Sequence, residues 1–152
     1  MTDPGNPSEN SRNEVHPPRR AARSLGAVLA GIIAGVVLTL GTDAALRAAG
    51  IFPSLRHPGM SDSLFLLATA YRIVFSVAGC YITARLAPNR PMRHALVGGA
   101  IGLLASMTGA VATWNHQPSL GPHWYALALV VTALPCAWLG SKLLELHQSS
   151  AR

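Results

Sequence analysis

Apolar residues are concentrated in four long runs of this chain, and most charged residues fall between the runs. A helix on the surface of a water-soluble bundle carries a polar stripe that repeats every 3.6 residues, and none of the runs shows one. Each run also has the roughly 20 residues that a helix needs to cross a bilayer. The pattern therefore predicts an all-α integral membrane protein with transmembrane helices at about residues 24–50, 62–87, 92–115 and 122–146.

The connections between the predicted helices are short and contain residues that interrupt helices. Pro53, Pro58, Pro88, Pro91 and Pro122 lie in or beside them. Proline lacks an amide hydrogen, so it ends a helix or stands in its first turn. Because short connections make sequential helices antiparallel neighbours, we expect an up-down-up-down four-helix bundle.

The two ends of the chain differ in composition from residues 24–146, the predicted transmembrane domain. Residues 1–23 are rich in Pro, Asn, Ser and charge, which predicts a disordered tail. Residues 147–152 are expected to fray. A secretory signal peptide is the alternative interpretation of the N-terminus, since Ala44 and Ala49 belong to a stretch of small residues suitable for cleavage. Asp43 and Arg47 fit a cleavage region poorly, which favours a retained tail.

Composition and charge add a partner and an orientation to this picture. Half of the residues are apolar and 12% are charged, while the net charge is +6. The basic residues are dispersed rather than clustered on one polar surface, so we expect the lipid bilayer as partner and no nucleic acid. Residues 12–23, 85–93 and 142–152 contain four, three and two Lys or Arg residues, whereas the other side has two in all, Arg47 and Arg56. By the positive-inside rule, both termini are then cytoplasmic.

Small residues recur every four positions in three of the runs. Lipid tails are as apolar as Leu, so helices in a membrane associate by close approach at small residues. We expect these faces to pack within one bundle; a seam between copies in a homo-oligomer is the alternative. The sets are Ala27, Gly31 and Gly35; Gly98, Gly102, Ser106 and Ala110; and Ala128, Thr132, Cys136 and Gly140.

Arg72 is a charge within the second run, about 12 Å from its start at 1.5 Å per residue. A guanidinium there requires a partner or water. Asp43 is the best placed acid, because a long Arg side chain can extend toward the membrane boundary to meet it. Arg47, one helical turn after Asp43, is a competing partner. The site, with Tyr71 and Ser76 as possible extensions, is either a structural clamp or a place where a polar substrate binds.

Histidines and cysteines provide no metal or catalytic pattern. His57, His116 and His123 fall on the predicted outer side, but no pair has the spacing that places two ligands on one helical turn. Cys80 and Cys136 belong to no CxxC motif, and small buried thiols are the ordinary interpretation. Nucleophile-elbow, zinc-protease and phosphate-loop motifs are not present in the sequence. We therefore expect no catalytic residue, no metal and no cofactor.

Several short segments suggest a relationship. They are Tyr71-Arg72, Gly79, Tyr81, the segments ARLAP at 84–88, PMRHA at 91–95 and GPHWY at 121–125, and residues 135–140. Over about residues 25–143 the chain resembles a group of small four-span bacterial inner-membrane proteins that have no assigned activity. The resemblance implies a bacterial inner membrane and a four-helix fold, and it carries no site residue.

Two function classes fit these observations. The first is a structural or accessory membrane protein that associates with itself or with a membrane partner. The second is a small transporter or permeability protein in which Asp43 and Arg72 contact a polar substrate. Four-span drug transporters depend on an acid without a compensating cation, whereas Asp43 has Arg47 and Arg72 nearby. This difference favours the accessory class.

Overall fold

A computed structural model describes residues 17–53, 59–115 and 121–150. These residues form helices α1 (Pro17–Ala48), α2 (Asp62–Leu86), α3 (Pro91–Thr113) and α4 (His123–Ser150). Each contains a segment long and apolar enough to span a membrane, beginning at Ala22 in α1. The sequence-based prediction of an all-α, multi-pass membrane protein is confirmed at this level.

The helix ends differ from the prediction mainly at the chain termini. Residues 17–23, assigned to the disordered tail, are helical; proline suits the first turn, and Ala and Arg are strong helix formers. Residues 147–150, expected to fray, continue α4 because Leu144 is buried and the Ser149 hydroxyl donates to the carbonyl of Leu146. The remaining parts of both predicted tails, residues 1–16 and 151–152, lie outside the described residues.

Large apolar side chains are exposed on all four helices. Val37, Val74, Val111 and Val131, one on each helix, are 62%, 62%, 78% and 70% exposed. A water-soluble bundle of this size would bury such residues, whereas a bilayer solvates them. The outward surface is therefore apolar in the manner of lipid-facing helices.

The interior consists mainly of small residues at which helices approach closely. A Cβ atom built on Gly79 of α2 would lie 2.7 Å from the carbonyl oxygen of Gly31 of α1. One built on Gly140 of α4 would lie 2.6 Å from the carbonyl oxygen of Val77 of α2. These distances are too short for any side chain, so the packing of α1 on α2 and of α2 on α4 depends on glycine.

The remaining predicted packing residues have different environments. A Cβ atom built on Gly35 would lie 3.7 Å from the Phe75 carbonyl oxygen, an ordinary contact, and the buried Cys136 thiol lies 3.9 Å from the carbonyl oxygen of Ile73. A Cβ atom built on Gly98 would lie 3.9 Å from Val28, at the margin of contact. The expected packing of Gly102 within the bundle was wrong, because no atom lies within 4 Å of a Cβ built there.

The interface between α3 and α4 uses a face of α3 that the four-residue pattern did not identify. A Cβ atom on Gly99 would collide with the side chain of Ala137, and Ala95 is fully buried. Ser141, on the same side of α4, bonds the sulfur of Met92. The close contacts of α3 with α4 are thus made at Ala95 and Gly99, while Gly98 and Gly102 of the predicted face line a cavity bordered by all four helices.

Candidate intramembrane polar site

Asp43 and Arg72 form an ion pair between α1 and α2. The Arg72 Nη2 atom donates to Asp43 Oδ2 at 2.8 Å, and the Tyr71 hydroxyl donates to Asp43 Oδ1. Only 9% of the Asp43 side chain is exposed, against 26% for Arg72. Both carboxylate oxygens therefore have donors from α2, and the acid is held by two neighbouring residues of one helix.

The geometry follows from the placement of the two residues along their helices. Arg72 stands ten residues after the start of α2, and Asp43 stands five residues before the end of α1. Side chains on a helix lean toward its N-terminus, which carries the guanidinium toward the end of α2 that begins at Asp62. Asp43 stands near the C-terminal end of α1, and its side chain meets that of Arg72 beside the N-terminal part of α2.

Two tyrosine rings flank the Arg72 guanidinium. Its carbon lies 5.9 Å from the centroid of the Tyr71 ring and 5.6 Å from that of Tyr125 on α4. Tyr125 in turn packs against Phe65, with ring centroids 5.1 Å apart. Cations within about 6 Å of an aromatic face are stabilised by its quadrupole. The guanidinium therefore joins three helices: α1 through Asp43, α2 by its own backbone and α4 through Tyr125.

The donors of Arg72 are only partly used. Its Nε atom is buried without a hydrogen-bond partner, and among the described residues Nη1 bonds nothing either. Unlike Nε, Nη1 is not enclosed. Arg47, the competing partner considered for Asp43, makes no ion pair within the described part of the chain. Asp43 is thus paired with Arg72, and Nη1 of the guanidinium keeps its hydrogen-bond donors without a partner among the described residues.

A cavity of about 350 Å³ lies beside this ion pair; we call it the central groove. All four helices line it, and Arg72 stands at one end while Thr83 of α2 stands at the other. Ser76, one turn after Arg72, also lines the groove and does not bond Asp43, Tyr71 or Arg72. Ser76 therefore belongs to the groove wall rather than to the hydrogen-bonded cluster.

Sequence reasoning missed two parts of this site. Tyr125 was not assigned to the site from the sequence, yet its ring flanks Arg72. The stripe of Gly98, Gly102 and Ser106 was interpreted as a packing face, yet these residues line the central groove. The four-residue spacing does not show whether a face of small residues packs against another helix or lines a cavity, because both arrangements have the same spacing.

A second cavity of about 460 Å³ lies between α3 and α4, near the end of α3. His123 and Trp114 line it together: their ring centroids are 4.3 Å apart, and the His123 Nε2 atom lies 3.1 Å from the Trp114 carbonyl oxygen. Through these contacts His123 connects the start of α4 to the end of α3. Among the described residues no group of His, Cys, Asp or Glu is suited to a metal ion; His57 and His116 lie outside them.

Comparison of the chain with protein-family models, with curated proteins and with solved structures found no match. The resemblance to small four-span bacterial proteins therefore stays a prediction. What the site can do follows from its own residues: a paired intramembrane charge with a spare donor, beside a groove with mainly apolar walls.

Proposed function

We propose that this protein is a structural or accessory protein of the bacterial inner membrane, without an enzymatic reaction of its own, that associates with itself or with a membrane partner. The ion pair of Asp43 and Arg72 is the observation that carries this proposal. A substrate-coupled carboxylate needs to release its partner, whereas Asp43 is 6% exposed and accepts hydrogen bonds from both Arg72 and Tyr71. Such an arrangement suits a clamp between helices.

The proposed topology is up-down-up-down with both termini cytoplasmic. Its support is the order of residues along the paired helices: Gly31 of α1 meets Gly79, and the later Asp43 meets the earlier Arg72, which is the order of antiparallel helices. The distribution of Lys and Arg supports the orientation through the positive-inside rule. In this topology the Asp43–Arg72 pair lies toward the outer side.

A small transporter or permeability protein is the second candidate. Two observations at Arg72 favour the transporter. The central groove extends to this residue, and its Nη1 atom has no partner among the described residues. An intramembrane cation beside a cavity is a common feature of substrate pathways. In this function the ion pair would hold Arg72 in place for a polar substrate.

Flux measurements distinguish the two functions. Purified protein is reconstituted into liposomes, and entry of a panel of labelled small organic anions and cations is followed. The control is the double variant Asp43→Asn/Arg72→Met, which removes both charges and strands neither. We expect equal flux for the two proteins; a solute that enters only with the unaltered protein would favour the transporter.

Association is measured in the same preparation. Two copies with different affinity tags are co-expressed in one membrane, one tag is captured after mild solubilisation, and the other is quantified. Mixing of separately expressed membranes provides the background. Recovery of the second tag above this background supports self-association. Recovery at the background level argues against self-association and favours association with a different membrane protein.

A further inference from the structure

The central groove is elongated and partly open. Within the described ranges α1 and α4 have no Cα atoms within 8 Å of each other, since α2 and α3 each contact both of them and lie between them. Arg72 and Thr83, at the two ends of the groove, are separated by about 16 Å at 1.5 Å per residue. The volume of about 350 Å³ is in the range of pockets that bind small molecules.

The walls of the groove are mainly apolar and smooth. Ile73, Leu40 and Leu129 provide aliphatic surface, and Gly102 provides none, since no atom lies within 4 Å of a Cβ built there. Hydroxyl side chains interrupt these walls, but most of the exposed wall surface is apolar; they belong to Thr39, Ser76, Thr83, Ser106 and Thr132. Such walls accept a flexible hydrocarbon chain. Among the described residues that line the groove Arg72 alone is charged, so the charged group of a ligand has its partner at that end.

The charge at the Arg72 end is positive. Asp43, Arg47 and Arg72 sum to one positive charge, and Nη1 of Arg72 is an accessible donor without a partner in the described part of the chain. An arginine binds carboxylates through charge-assisted hydrogen bonds, which strengthen where water is scarce. The end of the groove is thus complementary to an anion, and it is adjacent to walls that fit a hydrocarbon chain.

We propose that the central groove binds a single-chain anionic amphiphile, a hydrocarbon chain that ends in a carboxylate, with its head group on Nη1 of Arg72 and its chain directed toward Thr83. This binding goes beyond the accessory role and holds whether the ligand stays in the groove or crosses the membrane. The carboxylate of Asp43 occupies Nη2 and leaves Nη1 without a partner among the described residues, so the two anions would bind different nitrogen atoms of the guanidinium.

Laurate is the probe, because its extended chain matches the length of the groove. Binding of tritiated laurate to the full-length protein in a nonionic maltoside is measured by scintillation proximity. Methyl laurate, acetate and an anionic two-chain phospholipid compete in separate arms. We expect unlabelled laurate to compete at least about tenfold better than each of the three, as befits one charge-assisted hydrogen bond. Equal competition by methyl laurate would overturn the anchoring by Arg72, and equal competition by the phospholipid would overturn the single-chain ligand.

Variants separate binding from folding. Arg72→Met is expected to weaken laurate binding at least about tenfold, and Asp43→Asn to strengthen it, since the competing negative charge is removed. A fold defect would weaken binding in both variants. Arg85→Met, near the other end of α2, is the charge control and is expected to change nothing. Weakening by Asp43→Asn with an unchanged thermal transition would contradict the proposal.

A groove-filling variant locates the chain. Gly102→Leu places a side chain in the groove at a position where an added Cβ meets no atom within 4 Å. Gly41→Leu adds the same side chain on α1, at a position that is equally open to a Cβ but does not line the groove. We expect Gly102→Leu to weaken laurate binding at least about tenfold and Gly41→Leu to leave it unchanged. Unchanged binding in Gly102→Leu would place the chain elsewhere and refute the assignment.

Discussion

The Asp43–Arg72 pair makes an asymmetric prediction about stability. Arg72→Met leaves a carboxylate that is 9% exposed with only the Tyr71 hydroxyl, whereas Asp43→Asn leaves a guanidinium that is 26% exposed and can extend toward water. Removal of one partner from a buried pair costs about 3–5 kcal/mol. We expect about this loss for Arg72→Met and a smaller one, about 1–2 kcal/mol, for Asp43→Asn after discounting for exposure.

The double variant Asp43→Asn/Arg72→Met measures the coupling between the two residues, which is the difference between its loss of stability and the sum of the two single losses. Polar contacts between helices in a bilayer average about 0.6 kcal/mol and reach about 1.7 kcal/mol. A charge pair at hydrogen-bond distance belongs at the upper end, so we expect a coupling of about 1.5–2 kcal/mol. The unfolding free energy is measured by titration with SDS in mixed micelles and followed by Trp fluorescence. A coupling below about 0.5 kcal/mol, the ordinary error of additivity, would refute the clamp.

Lys142 and Glu145 supply a matched control on α4. They form an ion pair at 2.9 Å with the i, i+3 spacing, and both side chains are 45% exposed. Exposed pairs of this kind contribute about 0.3–0.5 kcal/mol. The cycle of Lys142→Met and Glu145→Gln is therefore expected to show little coupling under the conditions that reveal coupling at Asp43 and Arg72.

Three further predictions concern packing, hydrogen bonding and topology. Gly140→Val should destabilise by about 1–3 kcal/mol through overpacking, against about 0.5 kcal/mol or less for Gly41→Val in open space, measured by the same SDS titration. Tyr71→Phe should cost about 1 kcal/mol through the hydroxyl donated to the carboxylate, and no loss would contradict that bond. Cysteine at Asn89 should be shielded from an impermeant maleimide in intact cells and cysteine at Ser119 should react; the reverse would invert the orientation.

The helices were accessible to prediction because lipid imposes a strong and local constraint. A run of about 20 apolar residues identifies a span without knowledge of its neighbours. The partner of Arg72 was also accessible: a charge within a span needs an acid, and few acids lie near the spans. Asp43 was chosen on depth alone, and the structure places it at 2.8 Å from Arg72. The choice between Arg72 and Arg47 was not accessible, since it depends on the rotation of α1 about its axis.

The packing faces were harder, because spacing gives a stripe without its partner. Gly31 and Gly140 are in close contact as expected, but the surfaces that oppose them, Gly79 and the backbone at Val77, were missed. The close contact of Gly99 with Ala137 was missed as well. Gly98 and Gly99 are adjacent and both line the central groove, but only Gly99 is in close contact with Ala137 of α4. One residue of rotation therefore decides which residue of α3 packs against α4, and a four-residue repeat does not contain that information.

The attachment of α1 relates the clamp to the central groove. Two contacts attach α1 to α2. Near the middle of α1 the backbone at Gly31 closely approaches Gly79, and nearer its C-terminal end Asp43 forms the ion pair with Arg72. The described part of α1 contacts α3 directly and does not pack against α4, so these two points on α2 act together with the α1–α3 contact to set how wide the groove is. The ion pair is then a structural spacer and an anion-facing donor at once. Structural and ligand-binding roles of Arg72 are therefore compatible, because they use different nitrogen atoms of one guanidinium.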